Sequence, residues 1–185
     1  MAIDTFRIAR KSDADAIAQL VNGAYRPEPN ATGWTHEAHL VSGSRTHTGH
    51  ITKLLGRPDS VILVGLKKSE LVACVHIEKA ETHSRIGMLA VCPLRQGLGL
   101  GKQMLTHAEK YAHACFSSEK FILQVISARS ELIAFYLRQG YQKTGEILDF
   151  PHSADVGTPI TPDLHLEILE KYTHALANTP MTTHP

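Results

Sequence analysis

A chain of 185 residues can bury one substantial core, and 19 basic against 18 acidic side chains leave a net charge near +1. That balance argues against nucleic acid and against a polybasic membrane patch, and no apolar run approaches membrane-spanning length. Met1 to Arg7 lacks a signal-peptide pattern, and Cys74, Cys92 and Cys115 are odd in number with no C-x-x-C pair, so a cytoplasmic protein with reduced thiols is expected.

In chain order the pattern predicts alternating strands and helices within one domain over residues 1–175, followed by a flexible tail over 176–185. Thr5 to Ala9 reads as a strand. Ser12-Asp-Ala-Asp15 reads as a capping box that opens a helix with Ile17, Leu20, Val21 and Ala24 on its buried face. A weaker helix follows over Thr46 to Leu55. Ser60 to Leu66 and Leu71 to Ile77 read as strands joined by a polar turn, Lys67-Lys-Ser-Glu70. Ile86 to Val91 is the next strand, and the chain then enters Cys92-Pro-Leu-Arg-Gln-Gly-Leu-Gly-Leu-Gly101 before a helix that runs to about Ala114. Phe121 to Ile126 is a buried strand, and Ser130 to Gln139 is a short helix with Gly140 suited to its C′ position. Lys143 to Phe150 and Leu164 to Leu169 then suit a terminal hairpin.

The glycine run carries the chemistry. Glycines at a helix entry let backbone N–H groups approach an oxyanion, and the helix N-terminus adds partial positive charge, so the segment reads as a pyrophosphate cradle. It fails the dinucleotide pattern G-x-G-x-x-G, because Gly97-x-Gly99 is followed by Gly101 and then Lys102. It also fails the P-loop pattern, because Gln96 stands at the first glycine position and Gln103 follows Gly101-Lys102. A nucleotide-binding module is therefore disfavoured. Gln96-x-x-Gly99-x-Gly101 instead resembles the coenzyme A signature of the GNAT acetyltransferase superfamily. Ala134-Phe-Tyr-Leu-Arg-Gln-Gly-Tyr141 resembles that superfamily's second signature, and the likeness spans roughly residues 3 to 150.

That resemblance implies an α+β fold, with a mixed, mostly antiparallel sheet of six to seven strands flanked by about four helices. It implies an acetyl-CoA-dependent N-acetyltransferase that acts directly on an amine in a ternary complex; a non-catalytic acyl-CoA-binding or sensor domain is the alternative. Met88, Leu89, Ala90 and Val91 map onto the strand that splays beside the pantetheine, with a backbone N–H near Leu89 for the oxyanion. Gln96, Gly97, Leu98, Gly99, Leu100, Gly101 and Lys102 map onto the pyrophosphate cradle. Tyr136 maps onto the general acid that protonates the coenzyme A sulfur. Arg129 stands where many relatives carry an asparagine beside the pantetheine arm, where it can donate hydrogen bonds to coenzyme A or instead reach a phosphate or an acidic acceptor, and Arg85 stands where some carry a glutamate base.

With that glutamate absent, Glu37, His36, His39, His76 and His83 are candidate bases, unless water or an acceptor of low pKa makes a base unnecessary. The segment Tyr25 to Arg45 is expected to help choose the acceptor, a small-molecule or peptide amine. Trp34, Glu37 and Arg45 are its candidate contacts, an aromatic wall with a carboxylate suiting a cationic amine. Gly33-Trp-Thr-x-Glu37 resembles a segment of relatives whose acceptor is undefined, so it names no substrate. His36-Glu-Ala-His39 falls one residue short of H-E-x-x-H, and no third ligand accompanies it or the pair His47 and His50, so no metal is expected. Monomer and homodimer both remain open.

Overall fold

The computed structural model describes residues 2–28, 33–151 and 156–173; the tail expected over 176–185 lies outside the described residues. Its elements are β1 (Thr5–Ile8), α1 (Ala14–Tyr25), β2 (Val41–Ser42), α2 (Thr48–Leu55), β3 (Ser60–Lys67), β4 (Glu70–Lys79) and β5 (His83–Val91). After these come α3 (Leu100–Phe116), β6 (Lys120–Ile126), α4 (Ser130–Arg138), β7 (Gln142–Asp149), β8 (Thr158–Pro159) and β9 (His165–Tyr172). Seven strands form one sheet in the order β1-β3-β4-β5-β6-β9-β7, and β2 pairs with β8 in a separate ribbon. Every neighbouring pair is antiparallel except β5 and β6. The mostly antiparallel α+β arrangement expected from the sequence is therefore present.

Strand alternation divides the core into two layers. Ile62 and Val64 of β3 pack with Ile17, Val21, Ile51 and Leu54 of α1 and α2, whereas Leu63 packs with Met104, Leu105 and Ala108 of α3 on the other face. Ile17, Ala18, Val21 and Ala24 recur at helical spacing, which gives α1 the buried stripe its sequence predicts. The cap differs from the expectation at Ser12. A 3-10 turn over Lys11–Asp13 precedes α1, and Asp13 accepts from the backbone N–H of Arg10 at 2.6 Å and from Arg7 at 2.7 Å. Asp15 instead accepts from Thr48 at 2.6 Å, tying α1 to the start of α2. That second helix begins at Thr48 rather than Thr46, because His47 caps it with a ring nitrogen that accepts from the His50 N–H.

The expected terminal hairpin is present as paired strands, and β9 lies between β6 and β7. What positions the site is the centre of the sheet. Parallel pairing of β5 with β6 lasts only from His83↔Lys120 to Arg85↔Ile122. Beyond it, Gly87–Val91 has no strand partner on the β6 side among the described residues. On its other side the register slips between Cys74 and His76, so Met88 and Leu89 together oppose one residue of β4. Met88 takes φ 49° there, and this bulge turns the end of β5 away from β6.

Candidate active site

Two cavities open beside the splayed end of β5, the second of them reaching β6. The first, about 370 Å³, is lined by Leu89, Val91, the glycine loop and α4. Gly97 and Gly99 hold φ of 75° and 81°, a region open to glycine at little cost, and Gly99 is the residue from which α3 starts. Among the described residues, nothing lies within 4 Å of the place where a Cβ would stand on either glycine. The loop is thus shaped by its backbone conformation, and the space over it is clear for a ligand to approach.

Lys102 lines this cleft, and so do Gln96, Gly97, Gly99 and Gly101. Leu98 is 44% exposed and lies off the cleft, while Leu100 is buried in the core, so Leu100 can contribute only its backbone. Met88, Ala90 and Val91 are buried as well. Gln96 has a structural task in addition. Its side-chain oxygen accepts from the N–H groups of Trp34 and Thr35, and its amide donates to Val91 O, which ties the segment after α1 onto the loop.

The second cavity, about 300 Å³, is lined by Tyr25, Glu37, Arg45, His76, Glu78, Arg85, Met88, Arg129 and Tyr136, among others. Leu132 of α4 lines both cavities and forms a wall they share. Tyr136, one turn further along α4, is 5% exposed and packs against Phe135 and Tyr141. Burial, with Tyr25 nearby, pushes its hydroxyl above the ordinary phenol value, so the group keeps its proton across the physiological range.

Trp34 and Glu37 do not share an acceptor wall. Trp34, half exposed and edge-on to Phe135 at 6.1 Å, lines the glycine-loop cleft, whereas Glu37 lines the second cavity. Arg129, expected to face either coenzyme A or the acceptor, lines the second cavity with Glu37. It donates to Glu37 at 3.2 Å and to Thr35 at 2.9 Å, and it does not line the glycine-loop cleft. Arg26 donates to the other Glu37 oxygen at 2.5 Å. With both oxygens held by guanidinium groups and 4% exposure, Glu37 is a buried anchor and poorly placed as a base.

Of the candidate histidines, only His76 lines the cavity. Its Nε2 lies 2.8 Å from the Ser60 hydroxyl, and burial lowers its pKa to about 4. His36 and His39 stack edge-on against each other away from both cavities, and His83 stands at the far end of β5. Arg85 and Glu78 face each other across β5 and β4, with Arg57 donating to the same carboxylate. Sequence reasoning missed Tyr25. Its hydroxyl donates to Leu89 O at 3.2 Å, and its ring lies 5.4 Å from the Arg45 guanidinium and 5.6 Å from that of Arg129. The only signal for it was its place at the end of the α1 stripe.

The acetyltransferase (GNAT) family model matches residues 17–141, which takes in the splayed strand, the glycine loop and Tyr136. The chain belongs to the GNAT family. Solved structures share the fold of this GNAT chain at low identity. A ribosomal-protein-alanine N-acetyltransferase from Brucella melitensis is 18% identical with a TM-score of 0.68, over 91% of this chain and 99% of that one. A spermidine N-acetyltransferase mutant from Vibrio cholerae is 13% identical with a TM-score of 0.67, over 92% and 94%. An N-acetyltransferase from Staphylococcus aureus Mu50 is 15% identical with a TM-score of 0.68, over 91% and 96%. No curated protein sequence matches this GNAT chain. Among the described residues no helix is long and apolar enough to cross a membrane, and no three His, Cys, Asp or Glu side chains gather to hold a metal.

Proposed function

We propose that this chain moves an acetyl group from acetyl-CoA directly to the amine of a small molecule or peptide, within one ternary complex. The observation that carries this reading is the shared wall: a glycine-loop cleft and a polar cavity meet at Leu132, beside a protonated tyrosine. Acetyl-CoA fits the first cleft by its chemistry, since the open backbone over Gly97 and Gly99 suits a pyrophosphate and the half-open edge of β5 suits an extended amide chain. When bound, it supplies an acetyl group activated as a thioester.

The chain's own residues do the remainder. The backbone of Gly97 to Lys102 holds the phosphate end, with Lys102 adding a positive charge at the rim. The unpaired edge of β5 at Leu89 offers a backbone N–H to the acyl oxygen, and Tyr25 fixes that peptide by bonding to Leu89 O. Tyr136 supplies the proton to the leaving sulfur from its Oη. The amine enters from the second cavity, where Arg45 is a contact and Glu37 holds Arg26 and Arg129 in place. Trp34 closes over the coenzyme side.

The test is mass spectrometry of a metabolite and peptide extract incubated with acetyl-CoA and either wild-type protein or Tyr136→Phe. New acetylated amines that fall about 10²-fold or more in the variant are expected, with acetyl-CoA binding retained. Equal product from both proteins would remove the proton-donor role. A specific observation favours a second reading: Arg85 stands where some relatives carry a carboxylate, which suits an acyl-CoA sensor. Tight acetyl-CoA binding without turnover of any extract component would move that reading ahead.

A further inference from the structure

The charge of the second cavity is unusual for a site expected to take an ammonium group. Three arginines line it, Arg45, Arg85 and Arg129, against two carboxylates, Glu37 and Glu78. Both carboxylates are already shared. Glu37 accepts from Arg26 and Arg129, and Glu78 pairs with Arg57 and Arg85. His76, with its pKa near 4, contributes no negative charge and is neutral at pH 7. Arg57 is also held by Asp59, and Arg129 lies 4.0 Å from Glu131, so these ion pairs balance and Arg45 carries the unmatched positive charge.

Arg45 is the cation left over. No carboxylate among the described residues pairs with it. Its backbone N–H is fixed by Asn22 Oδ1 at 2.8 Å, and its guanidinium lies 5.4 Å from the Tyr25 ring centroid, so the head is held against an aromatic face on the cavity wall. A guanidinium so placed still has its fork of donors for a bidentate partner, and carboxylate and phosphate match that geometry.

Resting on the acetyltransferase reading above, we propose that the acceptor is an amine that also carries a carboxylate or phosphate, and that Arg45 binds this anion. The same charge helps the chemistry. Positive surroundings disfavour the ammonium form of an incoming amine and lower its pKa, which raises the fraction with a free lone pair without a dedicated base. A polyamine would bring further positive charge against arginines whose acidic partners are already taken.

The test separates a metabolite extract by anion exchange, supplies acetyl-CoA, and follows both free thiol and acetylated product for wild type, Arg45→Gln and Arg45→Lys. Expected are acetylated products that carry an anionic group. For the purified acceptor, Arg45→Gln should raise KM about 10- to 100-fold with kcat within about twofold. Arg45→Lys should restore part of that loss, and acetyl-CoA affinity should be the same in all three. Prior phosphatase treatment of the extract abolishes the activity if the anion is a phosphate monoester and spares it if the anion is a carboxylate. Uncharged amines or polyamines as products, or an unchanged KM in Arg45→Gln, would overturn this proposal and leave acetyl transfer standing. No thiol release with any fraction would instead sink the acetyltransferase reading, and this proposal with it.

Discussion

Tyr136 and His76 line one cavity from α4 and β4, and burial acts on both toward the neutral form. For Tyr136 this keeps a proton available, so kcat should show no descending limb attributable to the phenol below about pH 10, checked by a pH–rate profile. For His76 the consequence falls on stability. Its folded pKa of about 4 lies below the ordinary value of 6.5. Between those values the unfolded chain binds a proton that the folded chain refuses. Stability from this group is therefore complete above about pH 6.5 and is lost as pH falls through 4, on the order of 3 kcal/mol in all. Urea midpoints measured from pH 7 to 4 should show this slope in wild type, and His76→Asn should flatten it.

At the scale of elements, two turns carry backbone strain. The β3–β4 hairpin closes through Lys68 and Ser69 at φ 47° and 68°, both non-glycine residues in the left-handed region. Positive φ at both central positions is what a type I′ turn demands, and asparagine followed by glycine suits it best. The double change Lys68→Asn with Ser69→Gly should therefore stabilise the protein by roughly 0.5–1 kcal/mol, seen as a rise in Tm. Asp4, which accepts from the Lys68 N–H at 3.0 Å, keeps that bond because it is made to the main chain. At the β2–β8 ribbon the opposite holds. Gly157 has φ 98°, and a Cβ there would stand 2.5 Å from Ser42 O and 2.7 Å from an Arg26 nitrogen. Gly157→Ala should cost about 1–3 kcal/mol and loosen the ribbon, a change that thermal unfolding would detect.

Across the whole molecule, Glu37 gathers parts of the chain that lie far apart in sequence. Arg26 at the end of α1 bonds Glu37 and the carbonyls of Gly43 and Val156, while Arg129 at the start of α4 bonds Glu37 and Thr35. The side chains of Glu37, Arg26 and Arg129 are 5%, 7% and 6% exposed, so removing the carboxylate would leave two guanidinium groups buried without their partner. Glu37→Ala should destabilise the fold by roughly 3–5 kcal/mol, read from denaturant midpoints. If Glu37 served only as a base, stability would be unchanged and kcat alone would fall.

Features that depend on near neighbours in the chain follow from local chemistry. The stripe of α1, the β3–β4 hairpin, the glycine-loop entry to α3 and the place of Tyr136 on α4 were legible, because hydrophobic periodicity, turn chemistry and capping act over a few residues. The same letters gave no view of the two cavities. Trp34 and Glu37 sit three positions apart yet line different cavities, and Glu37 meets Arg129 across 92 positions. Which carboxylate takes which guanidinium, and so which charge is left at Arg45, was decided only when α1, the segment after it and α4 packed around the splayed end of β5. Ion pairing is a contact between side chains brought together by the tertiary fold, and no local pattern records its partner.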